Sequence, residues 1–203
     1  MTTTFARRCN EIFNEATQAY HVTDNIDAPH PNPYPENSVE HLLFEKNMID
    51  AVQWHMEDII RDINIDPLEA LELKRRIDRS NQERTDLVEA LDSYFRDKYS
   101  CVKPLAEATI NTESPAWAID RLSILALKIY HMQAETQRTD ADTEHKQKCT
   151  AKLDVLVEQR KDLTQAIDTL LNDIEAGRKY MKVYRQMKMY NDPDTNPVLY
   201  GGK

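Results

Sequence analysis

The sequence predicts an all-α protein: an antiparallel helical bundle of about five helices with a long C-terminal coiled-coil-like helix. Apolar residues recur every three or four positions through most of the 203 residues, which is the spacing of helices that bury one face. The composition, 40% hydrophobic and 30% charged, fits a folded helical domain with one sizeable core. All three glycines lie at or after residue 177, so the preceding chain has none for hairpin turns.

The first part of the chain is expected to form two helices joined by a proline-rich segment. Residues 4 to about 20 carry apolar side chains at helical spacing. Four prolines within 28–35 cannot propagate a helix, so this segment is an extended strap or a mobile lid, and the strap is favoured. Ser38 is the expected N-cap of the second helix, which is apolar on more than one side and should lie in the interior.

The third helix is expected to begin at Asp66 and to continue to about residue 98. Asp66, Pro67 and Glu69 stand in the order of a capping carboxylate, a first-turn proline and a third-position glutamate. The predicted inward stripe mixes apolar residues with polar ones and consists of Leu71, Lys74, Ile77, Asn81, Arg84, Val88, Leu91 and Phe95.

The fourth helix is expected to be the central one. Ser114 and Pro115 repeat the cap-then-proline start signal, and the chain from Trp117 to His131 is apolar nearly all round. Each residue advances about 100° around the helix axis, and the few polar groups of this helix fall within one sector of about 100°. They are Asp120, Arg121, Lys128 and His131.

The fifth helix is expected to extend from about 143 to 190 and to carry a heptad seam from Leu153 to Tyr184. At about 1.5 Å per residue it would be about 70 Å long, more than the other helices can cover. Part of it should therefore project, kink near Gly177 or bury itself in a homodimer. The domain prediction is one helical-bundle domain over 1–190, followed by a loose tail over 191–203.

Composition excludes several classes of function. Without glycine before residue 177 the chain lacks a phosphate-cradling or dinucleotide-binding loop, and a net charge of -9 argues against a nucleic-acid partner. Cys9, Cys101 and Cys149 are odd in number and far apart, which favours reduced, buried thiols. No signal-like segment and no apolar run near the ~20 residues of a membrane span occurs, so a cytoplasmic protein with no membrane span is expected.

Three motifs resemble the bacterial domain of unknown function 4254 family. They are Trp54-His55-x-Glu57-Asp58-x-x-Arg61, Lys74-Arg75-x-Ile77-Asp78-x-x-Asn81-Gln82-x-Arg84, and Ile119-Asp120-Arg121-Leu122-Ser123-Ile124-Leu125-x-Leu127-Lys128-Ile129-Tyr130-His131. The resemblance covers most of the chain. It implies a bacterial helical domain and supplies no activity.

Polar and charged residues at inward positions of the second, third and fourth helices form the candidate ligand-binding site. They are His55, Glu57, Asp58, Arg61, Lys74, Asp78, Asn81, Arg84, Asp120, Arg121, Lys128 and His131. Burying a charge costs several kcal/mol unless it is paired, so the set must be compensated. The structural interpretation is an internal salt-bridge network. The functional one is a pocket whose cations bind an anion while a carboxylate or histidine acts as acid or base.

Two metal-dependent interpretations are weaker. His55, Asp58 and His131 suit a divalent ion, but the Glu-x-x-His pairing of di-iron bundles is missing, so no metal is predicted. Glu69, Glu72, Glu89 and Asp92 are similar to the acidic motif of MazG-type nucleotide pyrophosphohydrolases. That motif spans two helices, whereas here its halves share one helix and would be roughly 25 Å apart at about 1.5 Å per residue.

Two functional hypotheses follow. The first is a helical-bundle protein that binds or acts on a small anionic metabolite, with a phosphate or sugar-phosphate as the favoured ligand class. The second is a non-enzymatic structural or interaction module that dimerises or docks a partner through its long helix. A basic, histidine-lined cavity would favour the first, and a fully paired cluster without a cavity would favour the second.

Overall fold

The computed structural model describes residues 3–187, 189 and 192–201, and it confirms the all-α class. Within this part of the chain the helices are α1 (Phe5–Thr23), α2 (Val39–Ile59), α3 (Pro67–Lys98), α4 (Pro115–Gln137), α5 (Thr143–Glu175) and α6 (Pro197–Tyr200). The strands are β1 (Thr109–Ile110) and β2 (Lys179–Tyr180), which pair in parallel.

Each long helix begins at a side chain that caps it. Ser38, Asp66 and Ser114 accept hydrogen bonds from backbone N–H groups of α2, α3 and α4, as the sequence predicts. Thr4 caps α1 and Asp142 caps α5 in the same way. The helix starts are therefore fixed locally, by hydrogen bonds that satisfy otherwise unpaired donors.

α4 lies against four other helices, which confirms its central place. It contacts α1, α2, α3 and α5, and its side chains Ile119, Leu122 and Leu127 are fully buried. α1 contributes Phe13 and Tyr20 to the same hydrophobic core. A helix that is apolar nearly all round is thus buried nearly all round.

The predicted inward stripe of α3 is wrong in its first turns. Leu71 is 49% exposed and the Lys74 side chain is 55% exposed, whereas Leu73 is buried. The buried positions continue through Ile77 and Ser80. Leu73 precedes Ile77 by four residues and Ser80 follows it by three, so the three side chains lie on one face of the helix. Leu71 and Lys74 lie off that buried face.

The predicted extent of the fifth helix to about residue 190 is also wrong, because α5 ends at Glu175. Gly177 follows in the left-handed region, with φ of 72°. Its N–H donates to Ile174 O at 3.0 Å, and the Arg178 N–H donates to Asp173 O at 2.9 Å. These two bonds are those of a Schellman motif, which terminates a helix. Residue 190 itself lies outside the described residues.

Beyond Gly177 the chain turns back onto the segment between α3 and α4. The Leu105 N–H donates to Gly177 O at 2.9 Å, and Thr109 pairs with Lys179 in the β1–β2 ladder. The seam side chains Ile167 and Ile174 are buried in the chain's own core. The helix length that motivated a homodimer is therefore absent, and the coiled coil and the homodimer stay predictions.

The predicted tail over 191–203 is described only in part. Residues 191, 202 and 203 lie outside the described residues, and α6 occupies part of the rest. The division into a domain over 1–190 and a tail stays a prediction. Within the described part of the chain, no helix is both long and apolar enough to cross a membrane.

The proline-rich segment is held against the helices by several contacts, as expected of a strap. Asn32 Nδ2 donates to His41 O at 3.0 Å, and the Tyr34 hydroxyl donates to Glu15 Oε2 at 2.5 Å. The Tyr34 ring also packs edge-on against Phe44 of the core.

Gly177→Ala should destabilise the protein by about 1–3 kcal/mol, because a left-handed residue with a Cβ is strained. The added Cβ would also lie 2.8 Å from Lys103 O, closer than real Cβ atoms approach a backbone oxygen. Urea unfolding of this variant and of Glu175→Ala, a matched change at an exposed neighbour, measures the difference. Equal stabilities of the two variants would contradict the assignment.

Candidate functional site

Four charged side chains from three helices meet in the interior, and we call them the buried ion quartet. They are Lys46 and Asp50 of α2, Arg84 of α3 and Asp120 of α4. The side chains of Lys46 and Asp50 are fully buried, that of Asp120 is 6% exposed and that of Arg84 is 28% exposed.

Each cation of the quartet contacts both acids. Arg84 Nη2 donates to Asp120 Oδ2 at 2.6 Å, and Arg84 Nε lies 3.1 Å from Asp50 Oδ1. Lys46 Nζ donates to Asp50 Oδ2 and lies 2.9 Å from Asp120 Oδ1. Two of these four contacts have ion-pair distances but lack the alignment of a hydrogen bond. They are Arg84 Nε–Asp50 Oδ1 and Lys46 Nζ–Asp120 Oδ1. Two positive and two negative charges cancel, which offsets the free energy of removing them from water.

A chain of hydrogen bonds through uncharged side chains extends from the quartet to α1. The Ser123 hydroxyl donates to Asp50 Oδ2 at 2.6 Å, and Asn47 Nδ2 donates to Ser123 Oγ at 3.0 Å. The Thr17 hydroxyl then donates to Asn47 Oδ1 at 2.8 Å. Burial raises the pKa of Asp50 above its usual value, while the Lys46 ammonium, the Ser123 hydroxyl and the Arg84 guanidinium oppose the rise.

Sequence reasoning found only half of the quartet. It placed Arg84 and Asp120 in the interior, and the structure brings these two together. Lys46 and Asp50 were missed, although they stand four residues apart on one helical face, where Leu42, Leu43 and Ile49 adjoin Lys46. An oppositely charged pair at that spacing beside apolar residues is the signal that identifies them.

Other predicted site residues lie around a cavity beside the quartet. Glu57, Asp58 and Arg61 line a cavity of about 370 Å³ together with Arg84. Arg61 is exposed and pairs with Glu57 at 3.2 Å. Asn81 accepts a hydrogen bond from Gln53 Nε2 at 3.0 Å, which joins α3 to α2.

Lys74 and Asp78 are placed differently from the prediction. They form an ion pair with each other on the surface of α3, one turn apart. The expectation that both occupy inward positions rested on the incorrect phase of the first turns of α3. Their ion pair is of the kind that contributes about 0–1 kcal/mol.

Two further cavities continue from the first along one face of α4. One, of about 580 Å³, is lined by Arg84, Asp120, Arg121, Lys128 and Asp162 among others. The other, of about 530 Å³, is lined mainly by apolar groups and includes His131 in its wall. Neighbouring cavities share wall residues, and we call the three together the α4 groove. The shared residues are Trp54, Arg84, Ile124 and Lys128.

One stripe of α4 organises this face of the molecule. Asp120, Ile124, Lys128 and His131 follow each other at steps of four, four and three residues, so they lie on one side of the helix. Asp120 belongs to the quartet, and Ile124, Lys128 and His131 belong to the groove wall.

The groove cations differ in how far their charge is compensated. Arg121 pairs with Glu113 through two contacts of 3.0 and 3.1 Å, and Arg84 is held by the two acids of the quartet. Lys128 is exposed and forms no ion pair with any residue in the described part of the chain. Among the described residues, it is the one cation lining the 580 Å³ cavity that has no ion-pair partner.

Three histidines meet where α1, α2 and α4 adjoin. His21 Nε2 lies 3.3 Å from His55 Nε2, and the ligand atoms of His21, His55 and His131 lie within 4.8 Å of one another. Burial, and then the two neighbouring imidazoles, lower the pKa of His131 to about 4, and burial lowers the pKa of His55. Sequence reasoning paired His55 and His131 but missed His21, because it ended the first helix at residue 20.

The MazG-like interpretation fails in the structure for the predicted reason. α3 is continuous across Glu72 and Glu89, so the two acidic halves lie on one helix. Asp92 is buried and accepts a hydrogen bond from the Ser114 hydroxyl at 2.9 Å, and burial raises its pKa. It therefore anchors the start of α4 instead of facing the other acids.

The fold and the quartet together define an all-α protein built around a buried ionic centre. The chain belongs to the family described as "Protein of unknown function (DUF4254)", whose model matches residues 40–183. This confirms the resemblance drawn from the motifs of α2, α3 and α4. The matched segment contains the whole quartet and Lys128, whereas His21 precedes it. No curated protein and no solved structure matches the chain.

Lys46→Met should destabilise the protein by about 3–5 kcal/mol, because it leaves buried acids short of a cation. Lys74→Met is the matched control and should change stability by less than about 1 kcal/mol, because its ion pair is exposed. Urea unfolding measures both. A loss below 1 kcal/mol for Lys46→Met would show that the quartet is not the charge-balanced centre described here.

The stability of the protein should fall as pH decreases from about 6.5 to about 4. The pKa of His131 is about 4 in the folded state and about 6.5 in an unfolded chain, so the unfolded state binds the proton first. His21 and His55 lower the pKa of His131, while Asp24 and Asp58 raise it. Urea unfolding across this pH range should show a shallower decline for His131→Gln, and an unchanged slope would contradict the assignment.

Proposed function

We propose that the protein binds a small anionic metabolite in the α4 groove, with a phosphate or sugar-phosphate as the ligand class. The observation that carries this proposal is Lys128, a groove cation that forms no ion pair with the described residues. It lies where the 580 Å³ cavity meets the more apolar one. An ammonium group there suits a phosphate, since it acts as a point charge with three donors.

Arg84 supports the same assignment from the wall of the groove. Two acids hold its guanidinium through Nε and Nη2, so its position is set before any ligand arrives. A preorganised donor loses little conformational freedom on binding. Asp162 lines the same cavity and offers carboxylate oxygens, which accept hydrogen bonds from sugar hydroxyls.

The apolar end of the groove suits the carbon-rich part of such a ligand. Trp54, Met132, Val155 and Leu156 line it, next to Lys128. Small-molecule sites are concave and largely apolar, with a few polar groups that fix the orientation. An anionic group at Lys128 with a ring against the apolar end matches that arrangement.

The second candidate is an interaction module, and exposed apolar residues on α5 favour it. Val155 is 57% exposed and Val157 is 41% exposed, although both lie in the middle of a long helix. At about 100° per residue the two side chains lie about 200° apart around the helix, so a second copy of the chain packed on one face would cover the more exposed one, Val155. The homodimer predicted from the sequence used the heptad seam from Leu153 to Tyr184 instead, and a dimer through Val155 remains the alternative to the groove ligand.

Thermal-shift and calorimetric titration with inorganic phosphate, hexose phosphates and nucleotides tests the first candidate. At least one compound should raise Tm, because a ligand that binds only the folded state stabilises it. Lys128→Ala should weaken that binding by about 10- to 100-fold, the equivalent of a charged hydrogen bond of about 1.5–3 kcal/mol.

Lys161→Ala is the control, because Lys161 is an exposed residue of α5 that lines none of the three cavities of the groove. It should leave the affinity within about threefold, since its charge is exposed and paired with Glu158 away from the groove. If no compound shifts Tm and the chain sediments as a dimer that Val155→Asp dissociates, the interaction module is favoured. Equal affinities of Lys128→Ala and the parent chain would also overturn the groove assignment.

A further inference from the structure

We propose that His21, His55 and His131 form a site for one divalent transition-metal ion, with zinc as the best match. This site is separate from the anion contacts at Lys128, and it draws one ligand from each of α1, α2 and α4. We call it the three-histidine site.

The spacing of the ring nitrogens fits tetrahedral coordination. In a tetrahedral site with metal–nitrogen bonds of about 2.0–2.1 Å, the ligand nitrogens are about 3.3–3.4 Å apart. His21 Nε2 and His55 Nε2 are 3.3 Å apart. The ligand atom of His131 lies within 4.8 Å of both, so a small rotation of its ring completes the set.

The hydrogen bond of the His21 ring to the backbone leaves the lone pair of its other nitrogen for a metal. His21 Nδ1 lies 2.7 Å from Thr17 O, which can only accept, so the proton of the neutral ring resides on Nδ1. His21 Nε2 therefore presents a lone pair towards His55. A backbone carbonyl that fixes the tautomer in this way is the usual outer partner of a metal-bound histidine.

His131 provides the second independent observation. Its Nε2 is buried and has no hydrogen-bond partner among the described residues. A buried polar atom without a partner is unfavourable, and a metal ion would supply one.

Aromatic neighbours hold each imidazole in place. The Tyr20 ring stacks on His55 and the Trp54 ring stacks on His131, each with ring centroids 4.8 Å apart. The centroids of the Tyr130 and His21 rings are 4.0 Å apart. Ligands fixed by packing lose little freedom when the metal binds, which favours a preformed site.

The fourth coordination position is open to water or to one carboxylate. Asp24 Oδ1 lies 3.7 Å from His55 Nε2, and its side chain is mostly exposed. Three histidines with an open fourth position are the ligand set of catalytic zinc sites, in which the metal lowers the pKa of a bound water. His131 also lines the groove, so that position would adjoin the groove's apolar end.

A second cluster with ligand-like residues is less suitable and serves as the control. His145 Nε2 lies 2.9 Å from Glu135 Oε2 and 3.4 Å from Cys149 Sγ. Glu135 also accepts a hydrogen bond from Arg138 at 3.0 Å. The polar atoms there already have partners, so the cluster has less to gain from a metal ion.

The test is titration of the chelator-treated full chain with Zn²⁺ and Co²⁺. We expect one ion per chain, a rise in Tm, and the intense visible absorption of tetrahedral Co²⁺. His21→Ala and His131→Ala should each weaken Zn²⁺ binding by at least roughly 100-fold, more than an outer partner contributes. His145→Ala should bind as the parent chain does.

The proposal is overturned if no ion binds, if His145→Ala abolishes binding, or if His131→Ala leaves the Co²⁺ spectrum unchanged. Circular dichroism verifies that each variant is folded, and His55→Gln, which keeps a polar side chain, replaces any alanine variant that is not. Lys128→Ala should retain its Zn²⁺ affinity while binding the phosphate compound more weakly. The two proposals can therefore fail independently.

Discussion

Charge balance inside the protein is the constraint on which the rest of the structure depends. Lys46 and Asp50 are fully enclosed, so neither can be solvated, and Arg84 and Asp120 complete a set without net charge. Because the four residues come from α2, α3 and α4, these helices must meet in one register. The hydrogen-bonded chain from the quartet to Thr17 brings α1 into the same arrangement.

The same constraint separates structural charges from those left for binding. Acids and bases that pair in the interior hold the helices together, so the role of these residues is structural. Lys128, two turns after Asp120 on α4, has no such pairing among the described residues and faces the groove. His131, one turn further, belongs to the histidine cluster. One helical stripe thus connects the core, the groove and the proposed metal site.

Local signals predicted the fold better than the site. Caps such as Asp66 identify helix starts from a few neighbouring residues, and the all-α class follows from periodicity. The end of α5 was missed because periodic residues continue past Gly177, where a positive φ and long-range bonds to the α3–α4 segment decide the outcome. Lys46 was missed although Asp50 lies on the same helix, because its second partner, Asp120, lies on α4 and only tertiary packing brings the two together. His21 was missed because the first helix was expected to end at residue 20, whereas α1 extends to Thr23.

A double-mutant cycle between Arg84 and Asp120 tests the central claim most directly. The free energies of unfolding of Arg84→Met, Asp120→Asn and the double variant are compared with that of the parent chain. Residues that share one buried network should show a coupling energy of about 1–3 kcal/mol. Additivity within about 0.5 kcal/mol would contradict the account, because it would mean that the two charges do not depend on each other.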